Sequence, residues 1–169
     1  PRVEAHGMVE MFIYTEQIGM IAVQGPGATN ILDSISEKPL SAIRPFRIGD
    51  ATVAGARMRA ARTGYTGEDG FELMPPRESM LAVWDALKDA GVEPCGLGSR
   101  DVLRLEAGFM LHGTDMTRDN DPYEAGLDRF VHIGSPGYVA HDALSRIRTQ
   151  GTKRIMTGFR MVGRGIPRN

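Results

Sequence analysis

Charged side chains that could do chemistry, Glu72 and Arg100 among them, stand in two glycine-rich stretches, Ala61-Arg-Thr-Gly-Tyr-Thr-Gly-Glu-Asp-Gly-Phe-Glu-Leu73 and Cys95-Gly-Leu-Gly-Ser-Arg-Asp-Val-Leu-Arg-Leu-Glu-Ala-Gly108. A carboxylate such as Glu72 can accept two adjacent N–H donors as a bidentate pair. An arginine such as Arg100 presents a fork that stays charged and can meet a carbonyl edge or order a carboxylate. Each residue also has a plainer use. Between Phe71 and Leu73, Glu72 is where strand alternation puts an outward polar side chain. Arg100 can pair with Asp101, Glu106 or a helix terminus. Glu68 and Asp69 read as solvated turn residues. Arg104 and Glu106 sit on a helix whose other face carries Val102, Leu103 and Ala107, and each reads as having a structural salt-bridge role.

Other chemistries are disfavoured by residue type and spacing. His6, His112, His132 and His141 show no i, i+4 pairing and no cysteine companions, so a metal site is not expected. The single cysteine, Cys95, excludes an internal disulfide and a thiolate metal site, which suits a reducing compartment. Gly25-Pro-Gly27 lacks the Gly-Lys-Ser/Thr that completes a phosphate loop and reads as a helix entry.

The elements that must hold the two stretches follow from periodicity. Met8 to Tyr14 looks strand-like. Met20 to Val23 is a short apolar run that stops at Gln24-Gly25-Pro26, after which Ala28, Ile31, Leu32 and Ile35 recur at helical spacing, with Pro26 suited to the first turn. Ala51 to Ala54 and Met58 to Arg62 form a hairpin around Gly55, and Phe71 to Met74 adds a strand. Met80, Leu81, Trp84 and Leu87 mark one face of a helix that ends before Gly91. A last strand is expected near Val92 to Cys95, then a helix from about Ser99 to Ala107 with Ser99 as its cap, then a loop-rich remainder. The order suggests an α+β fold built on a ferredoxin-like split βαβ unit over residues 16–96, with part of a second domain after it.

Composition bounds the function classes. A chain of 169 residues, 41% hydrophobic, is large enough to bury a core. With 20 basic against 21 acidic residues, no nucleic-acid partner is implied. No apolar stretch approaches the roughly 20 residues needed to span a bilayer, so no membrane is implied. The chain opens at Pro1 without a methionine and closes at Asn169, and both ends are expected to be cuts through a longer chain.

At the two glycine-rich stretches the sequence resembles the glycine cleavage system T-protein (aminomethyltransferase) family. Three more pieces match in order: Met20-Ile-Ala-Val-Gln-Gly-Pro26, Pro122-Tyr-Glu-Ala-Gly-Leu127 and Gly165-Ile-Pro-Arg168. The resemblance implies a three-domain cloverleaf around a folate channel, of which this chain is a central piece. The expected parts are 1–15 as the end of a preceding domain, 16–96 as the ferredoxin-like domain, 97–150 as the return into the first folate-binding domain, and 151–169 as the start of a C-terminal barrel. It also implies transfer of an aminomethyl group from a lipoyl carrier protein, the H-protein, to tetrahydrofolate with release of ammonia. Glu72 and Arg100 fall on the family's pteridine-holding positions, and Tyr65 lines the channel or only packs the hairpin. The family's catalytic aspartate lies in a segment before Met20 that this chain lacks, so the chain alone is expected to be inactive and no catalytic residue is assigned. A domain without its neighbours exposes apolar surface, so either self-association or poor stability in isolation is expected. Such an enzyme is cytoplasmic in a bacterium and in the mitochondrial matrix of a eukaryote.

Departures and relatives qualify the resemblance. Leu111-His-Gly113 has His112 where related proteins often have tyrosine, so the resemblance does not carry that folate contact over to this chain. Folate-binding proteins of the tRNA-modification type share the fold but carry a Lys-Gly-Cys-Tyr-x-Gly-Gln-Glu signature, where this chain has Arg62-Thr-Gly-Tyr-Thr-Gly-Glu68. The folate domain of a dimethylglycine or sarcosine oxidising enzyme stays open as a further alternative.

Overall fold

The computed structural model describes residues 10–135 and 137–165, which divide into two compact units, the first ending at Phe109 and the second beginning at Met110. The element order of the first unit is β1 (Ile21–Gln24), α1 (Ala28–Ser34), β2 (Ile48–Val53), β3 (Ala56–Ala61), β4 (Gly70–Met74), α2 (Met80–Asp89) and α3 (Leu97–Glu106). The strands form one four-stranded antiparallel sheet in the order β1-β4-β3-β2.

Period-two patterning gives that sheet one apolar face. Ile21 and Val23 of β1, Met58 and Ala60 of β3, and Phe71 and Leu73 of β4 are all buried in a single cluster. Ala28 and Leu32 of α1, one turn apart, and Val83 and Leu87 of α2 belong to the same cluster, so both helices cover one face of the sheet. This is the two-layer α+β arrangement expected from the sequence. The β2–β3 hairpin turns on two residues, Ala54 and Gly55, at φ 49° and 76°, the left-handed pair that a tight hairpin with right-handed strand twist requires.

Four local expectations are corrected. The strand expected near Val92 to Cys95 is an irregular stretch, because Pro94 has no amide hydrogen to give a ladder; β1 therefore stays an edge strand. The buried stripe of α2 is Val83 and Leu87 with Met80 packed on the core, whereas Leu81 is 70% and Trp84 40% exposed. Met80 begins both candidate stripes, and the sheet takes the one whose closest approach is the compact Val83, where an indole would hold the helix away. Helix α3 starts at Leu97 with Gly96 before it and no side-chain cap, so Ser99 lies inside the helix. The strand expected over Met8 to Tyr14 lies partly outside the described residues, and its described part, 10–14, has no regular structure.

In the second unit the stretch expected to be loop-rich contains helix α4 (His141–Gln150). The unit is knit by polar contacts: Arg154 pairs with Glu124 at 3.1 Å, and the Asp121 carboxylate accepts the amide hydrogens of Tyr123 and Glu124. His112 makes an isolated bridge to Met116. The Gly165 to Arg168 match falls, beyond Gly165, outside the described residues. Among the described residues, no helix is long and apolar enough to cross a membrane.

Candidate functional site

The glycine-rich stretch after β3 is a polar turn whose neck is closed by an ion pair. Arg62 donates to Asp69 through Nε at 2.9 Å and Nη2 at 2.7 Å, the bidentate fork that gives such pairs their specificity. Its Nη1 donates to the carbonyls of Ile43 and Ser41, and Thr29 adds its hydroxyl to Asp69 Oδ2 at 3.0 Å. Asp69 is exposed, as expected from the sequence, but it is also paired, and through Thr29 it ties the turn to α1. Glu68 remains exposed.

The hydrogen bond from Arg62 is the largest stabilising influence on the Asp69 carboxylate and, with Thr29, outweighs partial burial to hold its pKa at about 2, against an ordinary 3.8. A depressed folded-state pKa means that the pair's stabilisation is fully present above pH 3.8 and is lost as pH falls through about 2. Because the Asp69 side chain is 44% exposed, solvent screening leaves about 1 kcal/mol. Comparing wild type with Asp69→Asn by denaturant unfolding should show that difference at pH 5 and little of it near pH 2. A gap that stays constant with pH would refute the linkage.

Above this neck, Glu72 sits on β4 between Phe71 and Leu73, opposite Ala22 of β1 and Ala61 of β3. Phe71 and Leu73 point into the core, so Glu72 points away from it, flanked by two methyl groups. Thr63 donates its hydroxyl to Glu72 Oε2 at 2.5 Å. Behind it, the Gln24 amide spans from β1 to the turn: Nε2 donates to the Thr63 carbonyl at 3.1 Å, and Oε1 accepts from the Thr66 hydroxyl at 2.9 Å.

Arg100 lies on α3, and its guanidinium stands 5.0 Å from the centroid of the Tyr65 ring, which itself stacks on Phe109 at 5.6 Å. Tyr65 thus supports Arg100 as well as packing against Phe109. The pairing of Arg100 with Asp101, open from the sequence, does not occur: Asp101 is taken by Arg104, at 2.8 Å from both Nε and Nη2. Arg100 has no carboxylate partner among the described residues. Arg104 is the buried residue of α3, only 4% exposed, whereas Val102 and Leu103 are exposed. This inverts the helix face expected from the sequence, because Arg104 folds back to donate to the Phe109 carbonyl at 3.1 Å.

The structure brings Glu72 and Arg100 to one turn, through Thr63 and Tyr65, but not into contact with each other. Arg100 also lines a cleft of about 370 Å³ with Thr66, Trp84, Leu87, Lys88 and Leu103; Glu72 does not line it. Gln24, Thr63 and Thr66 were not singled out in the sequence, since a glutamine closing a strand and threonines in a turn carry no periodic signal. Among the described residues, no group of three His, Cys, Asp or Glu side chains could hold a metal.

The first unit is thus an α+β sheet unit whose glycine-rich turn holds Glu72 through Thr63 and Arg100 of α3 through Tyr65. The chain belongs to the family described as the GCVT N-terminal domain, whose model matches residues 2–135. It is 42% identical over 166 residues to the aminomethyltransferase of Caldanaerobacter subterraneus subsp. tengcongensis, which covers 95% of this chain and 44% of that protein. It is 43% identical over 150 residues to the aminomethyltransferase of Thermosynechococcus vestitus, covering 89% of this chain and 41% of that protein. The chain therefore spans less than half the length of these relatives. The crystal structure of the glycine cleavage system aminomethyltransferase T from Bartonella henselae matches with a TM-score of 0.55 at 22% identity, over 82% of this chain and 63% of that one, and shows a shared fold.

Proposed function

We propose that this chain is the part of a tetrahydrofolate-dependent aminomethyltransferase that holds the pteridine end of the folate, with Glu72 and Arg100 as its contacts. The observation that carries the reading is the turn itself, which anchors Glu72 through Thr63 and supports Arg100 through Tyr65. The donor set fits a pterin. Thr63 engages one carboxylate oxygen of Glu72 and leaves Oε1 to accept an N–H edge, while Arg100, without a carboxylate partner among the described residues, is available to a carbonyl. Tetrahydrofolate would supply the N5 and N10 nitrogens that receive the one-carbon unit, and the role of these residues is to bind and orient it.

In the whole protein the aminomethyl group would arrive on the lipoyl arm of an H-protein, and ammonia would leave. No residue of this chain is assigned as the catalytic acid. The transferase reading is preferred to the tRNA-modification and oxidase alternatives because both relatives described above carry the aminomethyltransferase name.

Calorimetric titration of the chain with tetrahydrofolate tests this. Glu72→Ala and Arg100→Ala should each weaken binding by about 10- to 100-fold, the size expected for losing a hydrogen bond to a charged group, with unchanged unfolding midpoints. Unaltered affinity in both variants, or no uptake by the wild-type chain, would overturn the assignment.

A further inference from the structure

Gln24 ends β1 and lines the cleft that Arg100 also lines, and its amide is used to a degree unusual for a side chain that is only half-buried. Nε2 faces three backbone carbonyls, those of Thr63 at 3.1 Å, Val23 at 3.2 Å and Phe71 at 3.4 Å, while Oε1 faces the Thr66 hydroxyl at 2.9 Å. The orientation is fixed by chemistry, because the flipped amide would set its oxygen against three carbonyl oxygens. Thr66 in turn accepts the amide hydrogen of Glu68 at 3.3 Å. The turn is built closely around this group: a Cβ on Gly64 would fall 1.8 Å from Gln24 Oε1. Gln24 therefore fixes the backbone at Thr63, and Thr63 is the residue whose hydroxyl fixes Glu72.

We propose that Gln24 is a positioning residue for Glu72, acting through Thr63: it locks the turn so that the Thr63 hydroxyl holds one oxygen of the Glu72 carboxylate and leaves the other aimed at a ligand. The relay runs from an edge strand, across the turn, to the neighbouring strand β4. It rests on the folate reading of Glu72 only for its consequence in binding, and its geometry can be tested without any ligand.

The ligand-free arm is carbon-13 NMR of the Glu72 carboxyl in the chain. Gln24→Ala should move that resonance in the same direction as Thr63→Val, and Thr63→Ser, which restores the hydroxyl, should return it to the wild-type position. An unmoved resonance in Gln24→Ala overturns the proposal. The binding arm is a double-mutant cycle with tetrahydrofolate. Gln24→Ala and Thr63→Val should each weaken binding about tenfold, and neither should have an effect in a Glu72→Ala background. Losses that simply add to that of Glu72→Ala also overturn the proposal, since they would mean that Gln24 acts on the site independently of Glu72. If the resonance moves as expected while the wild-type chain takes up no tetrahydrofolate, the positioning stands and the folate reading fails.

Discussion

Replacing Gly70 with alanine should destabilise the first unit by about 3 kcal/mol, at the upper end of ordinary overpacking penalties. A Cβ at this position would lie 2.4 Å from the Val23 carbonyl oxygen, 2.7 Å from Gln24 Nε2 and 2.8 Å from the Gln24 Cα. Two of these three atoms are backbone of β1, the strand paired with Gly70 through Gln24, so no rotamer change can make room. Relief requires β1 to move off β4, which breaks the edge pairing and pulls Gln24 away from the turn. Trp84 is the only tryptophan of the chain and lies on α2, so urea unfolding followed by its fluorescence reads this unit. Gly98→Ala is the control: it lies in α3 with nothing within 4 Å of the added Cβ, and it should be neutral or mildly stabilising. Equal midpoints for Gly70→Ala and wild type would show that β1 does not approach β4 as closely as described.

The contrast between these glycines shows what the sequence could convey. The glycine-rich stretch was legible as a turn joining a hairpin to a strand, and alternation was enough to set Phe71 and Leu73 inward and Glu72 outward. Which glycine is needed, and against what, was not legible, because the clashing atoms belong to β1, nearly fifty residues earlier in the chain. The same limit explains Asp69 and Gln24. Asp69 reads as a solvated turn residue and Gln24 as no more than the end of an apolar run, and both find their partners only when β1, α1 and the turn come together. Helix faces failed for a different reason. In α2 two overlapping stripes share Met80 and Leu87, so periodicity alone could not choose between Val83 and Trp84. In α3 a long arginine that satisfies its own fork on Asp101 and a backbone carbonyl is cheaper to bury than its charge suggests. In α4 only Leu144 and Ile147 of the helical residues suggest a stripe, too few to distinguish a helix from a loop.

Phe71→Ala should cost about 3–5 kcal/mol, the range for emptying a large aromatic from a core that cannot fully collapse. Phe71 is fully buried in the cluster that joins all four strands to α1 and α2, and its ring also lies 5.5 Å beneath the Arg62 guanidinium. Removing it loosens the sheet and the neck of the turn together. Phe71→Leu keeps most of the volume and should cost less than about 1.5 kcal/mol. The neighbouring Glu72→Gln, on the opposite face of the same strand, should stay within about 0.5 kcal/mol of wild type while losing tetrahydrofolate affinity. Adjacent residues would then separate cleanly, one carrying stability and the other binding. That separation is the sharpest check on whether β4 presents Glu72 to a ligand. If Glu72→Gln lowered the urea midpoint as far as Phe71→Ala does, Glu72 would be a structural acceptor for Thr63, and the carboxylate would no longer be available as a folate contact.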